Sequence, residues 1–182
     1  MKRAIGLLLP LVLLGGERAG PYLAAGTGIA NYRDDGRLAS IGGTDETRYH
    51  LSAGAFINKY FSVEFALAHF NDFGGIDNEG VSVRESFNTL TADALVHYPV
   101  MNDRLDFFGK FGAGQIFWEE HGSHYRSSNS ATLLFGAGFG FRPTERVTVN
   151  LGYDFNTFRM DVNTTRFEMQ LGTGYLEVQV QF

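Results

Sequence analysis

The chain has 182 residues, 44% of them hydrophobic and 14% aromatic, with 17 Phe, 8 Tyr, 23 Gly, only 4 Pro and a net charge of −5. This length suits one domain, and the negative balance leaves no basic excess for neutralising phosphates, so there is no case for nucleic acid as a partner. With no Cys, disulfides, thiolate metal sites and a thiol nucleophile are all excluded.

Lys2 and Arg3 precede an apolar run from Ala4 to Leu14, the charged and hydrophobic regions of a secretory signal. The run is well short of the ~20 residues that a membrane-spanning helix needs. Residues 1–20 are therefore expected to be a signal peptide and 21–182 the folded domain. Glu17 and Arg18 stand where small residues favour cleavage, which leaves the cut position open.

From Gly20 onward the recurring period is two, the period of a strand. The first strand is expected near 22–32. The second, near 47–57, sets Tyr49, Leu51 and Ala53 against Arg48, His50 and Ser52. The third, 61–71, sets Phe61, Val63, Phe65 and Leu67 against Ser62, Glu64 and Ala66, and the fourth, 83–98, sets Leu90, Ala92 and Val96 against Thr89, Asp93 and His97. A fifth carries Phe107 and Phe111 against Asp106 and Lys110, with Phe108 out of phase. The sixth sets Leu133, Phe135 and Phe139 against Gly136, Gly140 and Arg142. The seventh sets Val149, Leu151 and Tyr153 against Asn150, Gly152 and Asp154. The eighth runs from Thr165 to the end, where Leu176, Val178, Val180 and Phe182 alternate with Glu177, Gln179 and Gln181. Its pattern blurs at Gly172 and Gly174, where a bulge or a close backbone contact is expected.

The links alternate in length. Asn58 to Tyr60, Pro99 to Arg104 and Pro143 to Arg146 are short, whereas 34–46, 72–82, 119–129 and 160–164 are mostly longer and polar. Strict alternation gathers short turns at one end of an up-and-down sheet and long links at the other. One face of the sheet is aliphatic and aromatic, and the other carries Arg48, Glu64, Asp93, Lys110, Arg142 and Asp154. A lipocalin-like soluble barrel has the opposite sense, apolar inside and polar outside. Charges in such number need a polar lumen in which to pair, and an apolar exterior in lipid forces every backbone group into a closed sheet. The expectation is an all-β fold, an eight-stranded antiparallel up-and-down transmembrane β-barrel, with those six charged residues as a lumenal network.

The segments Gly54 to Phe65, Leu90 to Gly112 and Gly138 to Tyr153 resemble the strand-turn-strand units of OmpA-like eight-stranded outer-membrane barrels. The resemblance implies an integral protein of the bacterial outer membrane with both termini periplasmic and four loops outside. It also implies contact with outer-membrane lipid including lipopolysaccharide, and no cofactor. Val178, Val180 and Phe182 resemble the closing signal read by the barrel-assembly machinery. The resemblance is to the barrel domain alone, so a peptidoglycan-binding domain such as full-length relatives carry is not expected.

The most reactive-looking stretch is 119–128, with Glu119, Glu120, His121, Ser123, His124 and Tyr125. A His, a Ser and a carboxylate could form a nucleophile, its base and an orienting group, and His121-x-Ser123 faintly resembles the pair of PagL-type lipid A deacylases. The residue after Ser123 and the region of Leu133 to Phe135 depart from that pattern, and a solvated loop holds no geometry. Glu119, His121 and His124 also offer metal donors, and Asp34, Asp35, Asp72 and Asp77 offer calcium-type oxygens without the ordered spacing of a calcium loop. The expected function is a non-enzymatic structural or surface-contact barrel with a host or cell-surface ligand. The alternatives are a lipid A hydrolase at 119–128 and a low-conductance channel for small solutes.

Overall fold

The computed structural model describes residues 18–42, 45–77, 79–122, 125–162 and 165–182. The expected signal segment up to residue 17, together with Asn78, Ser123 and His124, lies outside them. The elements are β1 (Gly20–Arg33), β2 (Ser40–Gly42), β3 (Asp45–Asn58), β4 (Phe61–Ile76), β5 (Ser82–Val100), β6 (Leu105–His121), β7 (Arg126–Phe141), β8 (Val147–Val162) and β9 (Thr165–Gln181). The eight long strands pair antiparallel with their neighbours, and β9 returns to β1, so the sheet closes on itself. Closure leaves no edge through the part of the wall that faces lipid.

Tyr22↔Gln181 through Arg33↔Gln170 is the closing register, and the Phe182 N–H donates to the Pro21 carbonyl at 3.0 Å. No register shift interrupts β9 at Gly172. The glycine is there for close approach: a Cβ on Gly172 would collide with the Tyr153 hydroxyl and lie 2.9 Å from Asn31 Oδ1. Bulges occur instead between Phe56 and Asn58 and between Phe70 and Phe73. The turn between β5 and β6 places Met101, Asn102 and Asp103 at φ 54°, 55° and 62°, three consecutive non-glycine residues in the left-handed region.

The expected outward face is exposed: Phe65 and Tyr98 keep 68% of their surface, and Phe111, Leu133, Leu151 and Leu176 about half. In β5 this band runs from Leu90 to Tyr98, a height of about 20 Å for tilted strands and close to the apolar belt of a transmembrane barrel.

The strands do not stop where the band does. The regions expected as long polar links are in good part strand except the first, which keeps 34–39 between β1 and β2; the upper strand pairs run as far as Ile76↔Ser82, Glu120↔Arg126 and Val162↔Thr165. A short strand of the first link, β2, adds to the wall beside β4 through Ser40↔Ile76 and Gly42↔Gly74. Above the band the facing reverses. Phe70, Phe73, Phe87, Ile116, Trp118, Phe158, Met160, Met169 and Leu171 point inward and form one buried cluster, while His69, Asn88 and Arg159 point outward together with two apolar exceptions, Phe117 and Ile76. The expected polar lumen therefore holds only for the half nearer the short turns. Above the band the strands largely follow the rule of a soluble barrel, burying apolar side chains within and turning polar ones outside.

Candidate functional site

Three layers of interacting side chains fill the interior. The middle layer holds five of the six residues expected in the lumenal network. Arg48 Nη1 lies 3.1 Å from Asp154 Oδ2, and Lys110 Nζ lies 2.8 Å from Glu64 Oε1 and 3.8 Å from Asp154 Oδ2. Tyr22 donates its hydroxyl to Glu64 Oε2 at 3.0 Å, and Tyr175 stacks beneath both cations, 5.5 Å from each. Asp93 is fixed by the Thr91 hydroxyl at 3.0 Å rather than by a cation in contact. Beside this cluster Glu177 accepts from Asn150 at 2.8 Å and meets His50 Nε2 at 2.7 Å. All of these groups are buried, so each ion pair has little water to screen it.

Arg142, the sixth, stands apart. It follows the last residue of β7, where strand alternation no longer fixes a direction. Its guanidinium donates to the Glu145 carbonyl and to Gln181 Oε1. Burial and the nearby Arg18 charge hold its pKa below the ordinary arginine value.

Near the short turns lies a constellation that the strand pattern did not single out. Ser62 Oγ is 2.8 Å from His97 Nε2, and His97 Nδ1 is 2.8 Å from Asp106 Oδ2. These are the distances of a nucleophile, a base and an orienting acid. The same Asp106 oxygen also accepts from Arg18 Nη1 at 2.7 Å, and the guanidinium of Arg18 covers the Phe56 ring at 4.5 Å. Catalysis also needs space for the reacting atom beside the nucleophile. The cavity next to His97, Asp106 and Lys110 has about 10 Å³, room for roughly one water. The arrangement ties three strands and the amino-terminal segment together at the short-turn end of the lumen. Ser62, His97 and Asp106 all fall on the polar face in the sequence, but only the register β4 to β5 to β6 brings them together.

At the opposite end Arg37, from the link after β1, turns down into the barrel mouth and pairs with both Glu85 of β5 and Glu120 of β6, beside the Trp118 ring. Burial opposes the Arg37 charge, but the two carboxylates outweigh it and hold its pKa above the ordinary value. Asp34 braces this link by accepting the backbone N–H groups of Gly36 and Leu38 at 3.1 and 2.6 Å. Asp77 does the same for Glu79 and Val81 at 2.9 and 2.8 Å. Asp34 and Asp77, two of the calcium-type donors of the sequence, are thus turn caps. In the 119–128 stretch, Glu119 and His121 face outward and Glu120 inward, and the His121 ring meets Tyr125 edge-on at 5.2 Å. No group of three metal-binding side chains forms among the described residues.

Val178 and Val180 face outward in the band, and Phe182 lies beyond them with 70% of its surface exposed.

The family described as "Outer membrane protein beta-barrel domain" matches residues 10–175. No curated protein sequence matches the chain. Among solved structures, Neisserial surface protein A is similar with a TM-score of 0.71 at 17% identity, over 90% of this chain and 97% of that one. The attachment invasion locus protein Ail of Yersinia pestis, solved with the heparin analogue sucrose octasulfate, gives 0.60 at 16% identity over 91% and 99%. OprG from Pseudomonas aeruginosa gives 0.60 at 11% identity over 92% and 99%. At these identities the likeness is one of fold.

Proposed function

Since the chain belongs to the family of outer membrane protein beta-barrel domains, we propose that it is a non-enzymatic integral protein of the bacterial outer membrane that holds a rigid crown outside the cell for surface contact. The observation that carries this reading is the reversal of facing above the lipid band, which gives the upper hairpins a packed core of their own. Hairpins with a core are a fixed platform, and a fixed surface loses less entropy on binding than a flexible loop does. In this reading the short turns and both termini are periplasmic and the crown is external. Val178, Val180 and Phe182 serve as the segment read by the assembly machinery, and the band contacts outer-membrane lipid including lipopolysaccharide.

Charge narrows the partner. Residues 33–46, 72–85, 119–126 and 159–168 together carry twelve carboxylates and six arginines and no lysine. Ail was solved with a polysulfated compound, but an acidic crown favours a host or cell-surface ligand that is basic or neutral. The hydrolase alternative has less support, because Ser62, His97 and Asp106 lack room for a substrate and Glu120 is engaged by Arg37. The channel alternative meets a lumen crossed by fully buried Phe70, Phe73, Phe87 and Met160.

The test is adherence of cells expressing the protein to host-cell monolayers, before and after residues 74–84 are replaced by a two-residue turn. Loss of adherence with the heat-modifiable gel shift retained supports the reading. Equal adherence with and without the protein removes the contact role. Lipid A from the same cells, analysed by mass spectrometry, should be unmodified, and a lost acyl chain would restore the hydrolase.

A further inference from the structure

β7 pairs with β6 along its whole length, up to Glu120↔Arg126, and β8 pairs with β9 up to Val162↔Thr165. Between β7 and β8, however, the register runs only from Phe141↔Val149 to Thr132↔Phe158. Above Thr132 the two strands part, each still held by its other neighbour. A cavity of about 600 Å³ lies at the point of divergence, bounded by Ala113, Ala131, Leu133, Thr157, Arg159 and Arg166.

Its level in the barrel is informative. Below it the outward face of β7 and β8 is Leu133, Phe135, Tyr153 and Phe155. Above it the face is polar, beginning with Arg159. The cleft therefore straddles the boundary between acyl chains and headgroups. Its lower wall is apolar and recessed, because the outward residues Ala113 and Ala131 are small beside the exposed Leu133. Its upper rim brings together two of the six arginines of an otherwise acidic end. Arg159 meets Glu168 at 3.7 Å, with both side chains about two-thirds exposed. Such an exposed pair contributes little and gives way readily to a stronger anion. Guanidinium groups match phosphate oxygens in charge and in fork geometry.

We propose that this cleft binds a phosphorylated glycolipid of the outer leaflet, with its phosphate at Arg159 and Arg166 and one acyl chain laid over Ala113, Ala131 and Leu133. The choice of outer-leaflet lipid rests on the orientation given above, with the crown outside. Phosphate chemistry and acyl chemistry are both required, so neither a polar solute nor a neutral lipid should suffice.

The experiment is native mass spectrometry of the refolded full-length barrel, titrated with diphosphoryl lipid A, dephosphorylated lipid A and phosphatidylglycerol. One lipid A should bind, and Arg159→Ala with Arg166→Ala should weaken it on the order of tenfold, the loss expected for about 1.4 kcal/mol of charge-assisted contact. The pair Arg33→Ala and Arg84→Ala, exposed arginines elsewhere at the same end, should leave binding unchanged. Dephosphorylated lipid A should bind the wild type as weakly as the Arg159/Arg166 variant binds lipid A. The heat-modifiable gel shift checks that every variant is folded. Equal binding by both double variants, or equal binding of the two lipid A forms, overturns the proposal. Phosphatidylglycerol binding as tightly as lipid A would refute the outer-leaflet assignment while leaving the surface-contact reading to its own adherence test. A bound polypeptide in place of lipid would assign the parted strand edges to a protein partner and also refute it.

Discussion

Replacing Lys110 by Met should be among the most destabilising single changes in the barrel. Lys110 Nζ is the cation shared by Glu64 at 2.8 Å and Asp154 at 3.8 Å, and both acids are at most 4% exposed. Asp93, also buried, has only a hydroxyl in contact. Without Lys110, Arg48 is left to serve Asp154 while Glu64 keeps only the Tyr22 and Ser52 hydroxyls. Stranding one buried charge in this way costs about 3–5 kcal/mol. Lys110→Met combined with Glu64→Gln removes both charges, and it should be less destabilised than Lys110→Met alone, because no unpaired carboxylate remains. Urea unfolding of the refolded protein in vesicles, followed by Trp118 fluorescence and by gel shift, measures both variants. A loss below about 1 kcal/mol for the single variant, or strictly additive losses in the double, would refute a dry, mutually dependent network.

Phe87→Ala should cost about 3–5 kcal/mol locally, because the ring is fully buried against Tyr32, Phe73 and Phe158. The loss should appear as protease sensitivity of the crown with the membrane part still folded. Asn102→Gly should stabilise the barrel by about 1 kcal/mol by relieving one left-handed residue of the β5–β6 turn, read as a higher urea midpoint. Deleting Phe182 removes the hydrogen bond to Pro21 and the last aromatic of the closing strand, and should sharply reduce the amount inserted in cells. Normal insertion would detach assembly from that residue.

Legibility in the sequence followed the solvent. Where strands cross the band, lipid on one side and a polar lumen on the other impose period two. Phe61 to Leu67 and Val149 to Phe155 accordingly announce both strand and facing. Above the band the same strands continue, but the phase reverses: Leu67 faces out and Phe70 in, Leu90 out and Phe87 in. A pattern that changes phase reads as no pattern, so the upper hairpins pass for polar loops. Arg48, Glu64, Lys110 and Asp154 were legible because a charge amid alternation has one place to go. Arg142 sits one residue past its strand, where alternation carries no direction. Arg37 with Glu85 and Glu120, and Ser62 with His97 and Asp106, depend on register across separate strands, which one sequence does not encode locally. The parted β7–β8 edge likewise follows from where pairing stops, and no residue type marks it.

In the proposed architecture the barrel has a lipid-facing half and, above it, a crown with an apolar interior outside the bilayer. The chain's single tryptophan, Trp118, lies buried in that crown and serves as its probe. The decisive measurement is fluorescence quenching in vesicles of lipids brominated near the bilayer centre, comparing native Trp118 with a Trp118→Phe, Phe135→Trp variant whose only indole lies in the band. Strong quenching of the band indole is expected and almost none of Trp118, whose emission should still be that of a buried ring. Equal quenching of the two would place the crown within the membrane and refute this two-part architecture.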